Sequence, residues 1–165
     1  MAKRLQSREG LRKQKRGQIG GTGNDAEKYP ANTRCPKCDL VFQDGVWKRG
    51  SSNASDRAWK LCPACTQIRG GQVGGIVQCS GAFAANHRQE LLNRIRNVEK
   101  QTQEERPLER IMNMKEDKNG ITVSATTEHL VARIGKAIQR DFGGELSLRY
   151  APEDKFALAY WRRDS

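Results

Sequence analysis

Long hydrophobic runs are missing from this sequence. Nowhere do about eighteen apolar residues follow one another, so no membrane-crossing helix is expected. No apolar stretch follows Lys3 and Arg4 either, and without the core of a secretory leader the chain is expected in a reducing cytoplasm. Apolar residues are scarce overall, at 36% of the sequence against about 45–50% in ordinary globular domains. Neither half can then build a large core, and some part must be held by other means, for which a metal would serve. Catalytic signatures are equally absent. No Ser-His-Asp, H-E-x-x-H, Walker-type or paired-carboxylate arrangement occurs, so a non-enzymatic protein with no small-molecule substrate is expected. The two histidines, His87 and His129, lack partners at ligand spacing and sit near predicted helix starts, where polar surface or capping roles suit them.

What is abundant is positive charge. The formal net charge is +11, and it is unevenly spread. Residues 1–29 hold eight cations against three acids, residues 30–80 seven against three, and residues 81–165 fifteen against thirteen. Such a surface reads as a footprint for polyphosphate, because each neutralised phosphate releases counterions. An anionic membrane is the competing partner, but the basic tail lacks the apolar face of an interfacial helix. Residues 1–29, rich in glycine and charge with Leu5, Leu11 and Ile19 as their sizeable aliphatics, are expected to be a disordered basic tail. It reads either as a solvated solubility tail or as an RNA-seeking arm carrying Lys3, Arg4, Arg8, Arg12, Lys13, Lys15 and Arg16.

Residues 30–80 read as a zinc ribbon. Cys35-Pro-Lys-Cys38 and Cys62-Pro-Ala-Cys65 each place two thiolates at the C-x-x-C spacing, and the separation between the two knuckles suits one tetrahedral ion. The expected ligands are Cys35, Cys38, Cys62 and Cys65, holding one structural Zn²⁺; an iron–sulfur cluster and a redox dithiol are the alternatives. Short strands are expected around Leu40 to Phe42, Val46 to Lys48 and Ala58 to Leu61, with an exposed Ser-, Gly- and Asn-rich loop from Arg49 to Asp56. The glycine run from Arg69 to Gly75 lacks the spacing and the Lys-Ser/Thr ending of a phosphate loop. It reads as close backbone packing or as flexible RNA contact. Cys79, beside Ile76, Val77 and Phe83, reads as a small buried hydrophobe rather than a reactive thiol.

Residues 81–165 carry periodic signals. Asn86 with Gln89 suggests a capping box, and Leu91, Leu92, Ile95 and Val98 predict a helix over 87–104 closed by Pro107. Leu108 to Lys115 and Ile121 to Thr126 flank an Asn119-Gly120 hairpin signal. A second helix, capped by Thr126 or Thr127, carries Leu130, Val131, Ile134, Ala137, Ile138 and Phe142 and stops at Gly143 and Gly144. Glu145 to Tyr150 and Lys155 to Trp161 alternate about a turn at Pro152 to Asp154. The expected fold is α+β: an α-β-β-α-β-β two-layer sandwich with one four-stranded antiparallel sheet and two helices on one face.

Trp47, Lys48, Arg49, Arg57, Trp59 and Lys60 interleave aromatics with cations, the combination used for base stacking plus phosphate contact. Filling of the small ribbon core is the equal alternative for the tryptophans. With Lys37 and Arg69, the expected nucleic-acid contacts in the ribbon are Lys37, Trp47, Lys48, Arg49, Arg57, Lys60 and Arg69.

Several segments together resemble a family of small bacterial zinc-ribbon proteins related to the large-ribosomal-subunit export adaptor of eukaryotes and archaea. They are Cys35-Pro-Lys-Cys38 with Gly45-Val-Trp47, Leu61-Cys-Pro-Ala-Cys65, the His87 to Asn97 helix, Pro107-Leu-Glu-Arg-Ile-Met112, and Thr126-Thr-Glu-His-Leu130 leading into Arg133-Ile-Gly135. The likeness to the bacterial family spans residues 30–163; that to the adaptor is partial, since the adaptor carries several C-x-x-C units and this chain one complete set. The resemblance implies a factor that docks on the intersubunit face of the large subunit and holds a ribosome out of translation. The expected protein is therefore a ribosome-associated, rRNA-binding factor of subunit maturation or quiescence, monomeric when free. A DNA-binding or transcription-associated zinc ribbon is the alternative, although no recognition helix with clustered arginine is visible.

Overall fold

The computed structural model describes residues 29–50 and 58–165. Residues 1–28 of the expected basic tail, with Lys3, Arg4, Arg8, Arg12, Lys13, Lys15 and Arg16, and residues 51–57, with most of the expected loop and Arg57, lie outside the described residues.

The first half is built on a three-stranded antiparallel sheet, β1 (Thr33–Arg34), β2 (Val41–Gln43) and β3 (Val46–Lys48), in that order. Gln43 pairs with Val46 across the two-residue turn Asp44-Gly45, whose φ angles of 55° and 81° are those of the hairpin turn that follows strand twist. Two of the three expected ribbon strands are thus present. The third, Ala58 to Leu61, is reduced to a single bridge between Arg34 and Trp59. The second knuckle opens a helix, α1 (Pro63–Arg69). Proline presets φ for a first helical position, and the Cys62 sulfur caps the turn by accepting from the Cys65 N–H at 3.3 Å.

The larger correction lies at residues 75–80. That stretch, read as the end of the ribbon, is strand β4 (Gly75–Ser80), and it occupies the centre of the main sheet. Two helices follow, α2 (Ala82–Asn86) and α3 (Arg88–Glu105), then β5 (Ile111–Asp117), β6 (Gly120–Ala125), α4 (Glu128–Phe142), β7 (Glu145–Ala151) and β8 (Phe156–Arg162). The sheet has five strands in the order β5-β6-β4-β8-β7 and is mixed, because β4 runs parallel to β8 while its other neighbour β6 is antiparallel. The four-stranded, wholly antiparallel expectation failed for a physical reason. A central strand is covered on both faces, so Ile76 and Val77 are both buried and the in-out alternation that marks exposed strands is lost. With β4 included, β4-α3-β5 is a split β-α-β unit whose two parallel strands flank β6.

Both long helices lie on one face. Leu91, Leu92, Ile95 and Val98 of α3 and Leu130, Ile134 and Ile138 of α4 share a core with Val77, Ile121, Val123, Ala159 and Trp161 of the strands. Cys79 is 2% exposed in this core, as a buried hydrophobe should be. The opposite face carries a smaller cluster of Val73, Ile76, Phe156 and Leu158, with Met112 and Tyr160 at its edge. Thr127 is the α4 cap, its hydroxyl accepting from the Leu130 N–H at 3.1 Å. The Asn86–Gln89 capping box does not form: Asn86 ends α2, His87 turns the chain with φ −121° and ψ 36°, and Gln89 bonds Asn93 instead. Gly74 shows what the glycine run is for. A Cβ there would stand 2.0 Å from the Thr126 carbonyl oxygen, so close backbone packing is the reading that holds.

Candidate metal centre

The ribbon brings four cysteines to one point. Cys35 follows β1, and its carbonyl accepts from the Asp39 N–H at 3.0 Å, closing a turn that carries Cys38 back; Asp39 takes a positive φ of 64°. Cys62 and Cys65 are presented by the first turn of α1. The four sulfurs all lie within 4.8 Å of one another, with Cys38 Sγ and Cys62 Sγ 3.6 Å apart. Zn–S bonds of about 2.3 Å in a tetrahedron put sulfurs about 3.8 Å apart, so the donor set fits a thiolate-preferring tetrahedral cation such as zinc. Three of the cysteines are buried, Cys38 is half-buried, and none is in a disulfide. Phe42, Trp47, Leu40 and Ala64 pack around them, together with Leu108 from the other half of the chain.

Sequence reasoning missed the fifth member of this centre. Arg110 reaches in from the segment before β5, donating from Nη1 to Cys65 Sγ at 3.1 Å and from Nη2 to Cys38 Sγ at 3.1 Å, with Cys62 Sγ 3.7 Å away. The guanidinium is aimed by its own Nε, which donates to the Pro107 carbonyl at 3.0 Å. Its backbone N–H donates to the Thr126 hydroxyl at 2.9 Å, and that hydroxyl donates to the Leu108 carbonyl. A lone arginine 45 residues past the last ligand leaves no spacing signal.

Charge is redistributed accordingly. The Cys38 thiol is held at about 4, first by the hydrogen bond from Cys62, then by the Leu40 N–H and Arg110, against the opposing pull of burial. Cys62 is pushed up by sharing with Cys38 and by burial, and Cys65 by burial against the Arg110 bond. Burial alone would lower Arg110, but its bonds to Cys38 and Cys65 and the neighbouring sulfur charge hold it above the usual guanidinium range. A cation entering here would displace the protons kept on Cys62 and Cys65. A tetrahedral cation held by all four sulfurs would have no position left for substrate or water.

The expected nucleic-acid contacts scatter more widely. Lys37, Lys60 and Arg69 are exposed, and none is ion-paired among the described residues. Lys48 is engaged with Asp44 at 3.2 Å, and Arg49 reaches Gln103 at 3.4 Å. The expectation of a base contact at Trp47 is corrected: the side chain is 5% exposed, its ring packed against Tyr29 and Phe42 with centroids 4.9 and 5.5 Å away, so it fills the ribbon core instead. Trp59 is 57% exposed. Burial pushes the Cys79 thiol up to about 12, which suits a packing role and not a nucleophile. His87 stacks on Phe83 at 4.1 Å and meets Glu90 at 3.1 Å, and His129 lies 3.6 Å from Glu128, so neither joins the cysteines.

No helix among the described residues is long and apolar enough to cross a membrane. In comparisons with known proteins, the chain matches no family model, no curated protein and no solved structure.

Proposed function

We propose that this chain is a non-enzymatic zinc-ribbon factor that binds structured RNA, with the ribosome's large subunit as its partner and subunit maturation or quiescence as its setting. The observation that carries the reading is the ribbon's surface: Lys37, Lys60 and Arg69, exposed and without an ion pair among the described residues, stand on the backbone around the four-cysteine centre. Zn²⁺ is the cation proposed for the centre, because four thiolates in a tetrahedral, closed shell suit it and its binding would supply the folding free energy that a chain with 36% apolar residues lacks. In this reading Cys35, Cys38, Cys62 and Cys65 hold the ion and Arg110 offsets part of the thiolate charge. The ribbon's cations neutralise backbone phosphates, and the net charge of +11 speeds encounter.

Co-sedimentation of the purified protein with ribosomes across a salt series is the test. The expected result is pelleting at low salt that declines steadily as salt rises. Protein that stays in the supernatant even at low salt would remove the proposal. Crosslinking and sequencing then separates the RNA reading from the DNA-binding alternative, since ribosomal RNA fragments favour the first and promoter DNA the second.

A further inference from the structure

The three tryptophans divide sharply. Trp161 is 0% exposed and its indole N–H donates to the Gly143 carbonyl at 2.6 Å, and Trp47 is 5% exposed inside the ribbon cluster. Trp59 is left 57% exposed in a chain that is short of apolar side chains to bury. An indole is among the largest sources of burial energy, with a flat face that can stack as well as pack, and Trp59 leaves that face to solvent.

Its backbone is ordered. The Arg34 N–H donates to the Ala58 carbonyl at 2.9 Å and the Lys60 N–H donates to the Arg34 carbonyl at 3.1 Å, bracketing Trp59 in a parallel bridge against β1. Arg34 directly precedes Cys35 and Lys60 stands two residues before Cys62, so the metal centre braces both sides of this bridge. Arg34 is turned to Asp39 at 3.5 Å, whereas Lys60 and Lys37 on the same two segments remain exposed and unpaired among the described residues. An exposed indole with Lys60 next to it in sequence and Lys37 on the segment its bridge partner leads into matches one occupant in particular: a nucleotide whose base stacks while its phosphate meets an ammonium. A duplex hides its base faces, so the base must be unpaired.

We infer that Trp59 is a stacking site for an unpaired base in a loop, bulge or single strand of RNA, which rests on the RNA-binding reading and names the element it recognises. Trp47 and Trp161 are buried and emit as well, so the share of any quenching that belongs to Trp59 is the part lost in Trp59→Phe. A short unstructured RNA strand should quench Trp59 saturably, whereas the same sequence as a duplex, or inorganic polyphosphate, should bind through charge without quenching. By anisotropy of the labelled strand, Trp59→Ala should bind about 5- to 150-fold more weakly at unchanged zinc content, and Trp59→Phe should recover most of that loss. Equal affinity of Trp59→Ala and wild type overturns the inference, as does equal quenching by polyphosphate. An emission change produced only by ribosomal protein freed of RNA also overturns it, by assigning the indole to a protein contact. If Trp59→Ala still pellets with ribosomes and binds the strand like wild type, this inference falls while the RNA reading stands. If wild type binds neither ribosomes nor RNA, both fall.

Discussion

Arg110 gives the four-cysteine centre what its own residues cannot, a compensating positive charge. A divalent ion on four thiolates leaves two net negative charges beside a small apolar cluster, and burying uncompensated charge is costly. One guanidinium with N–H groups 3.1 Å from both Cys38 and Cys65 offsets half of that and fixes the sulfur lone pairs. Replacing it should therefore weaken the metal without removing a ligand. Arg110→Met is expected to bind zinc about 10- to 100-fold more weakly in competition with a chromogenic chelator. Arg110→Lys should recover part of the loss, because a point ammonium lacks the fork that spans two sulfurs. Unchanged affinity in Arg110→Met would mean the contact is incidental. The contrast with the cysteines shows what a sequence discloses about a site. Ligand spacing is local and dictated by coordination geometry, so Cys35, Cys38, Cys62 and Cys65 were legible. A residue that acts on the ligands from the far side of the fold obeys no spacing rule, and Arg110 became visible only when the topology placed it.

At the level of elements, the legible ones were those whose surroundings differ from side to side. Helices α3 and α4 show one buried stripe each, the β5–β6 hairpin forms where Asn119-Gly120 signalled it although its turn residues are Lys118 and Asn119, and β7 alternates half-buried Leu146 and Leu148 with exposed Ser147 and Arg149. Strand β4 was illegible because its environment is apolar on both faces and because a glycine run introduces it. Its membership matters for how the chain comes apart. Since β4 exchanges ladder hydrogen bonds with β6 and β8, it should keep its protection when the metal is stripped, although it lies nearer in sequence to the ribbon. In amide exchange after chelation, the Cys35 and Thr66 N–H groups, bonded to the Leu40 and Cys62 carbonyls, are expected to exchange at rates close to those of an unfolded chain. The Val77 and Cys79 amides should stay among the slowest. Joint loss of protection in β4 and the ribbon would show that the metal holds the whole chain and not the ribbon alone.

For the whole molecule, the ribbon is not a bead on a string. Arg110 and Leu108 enter its core from the second half, and Gln67 of α1 donates from Nε2 to the Thr126 carbonyl at 2.7 Å. The cations of the ribbon are thereby held in a fixed relation to the sheet, which is what phosphate contacts of defined number require. The distribution of charge then yields a count that can be measured. Each cation that sits on a phosphate releases condensed counterion on binding, so the slope of log affinity against log salt changes by about 0.7–0.9 per contact. Replacing Lys37, Lys60 and Arg69 together by Gln should flatten the slope by roughly 2–3 if all three touch RNA. Replacing Lys48, already engaged with Asp44 at 3.2 Å, should change it far less. The variants leave the thiolate centre and the apolar clusters untouched, so zinc content and melting temperature should match wild type. A triple variant that binds ribosomes with an undiminished slope would place the contact surface elsewhere on the molecule, away from the ribbon.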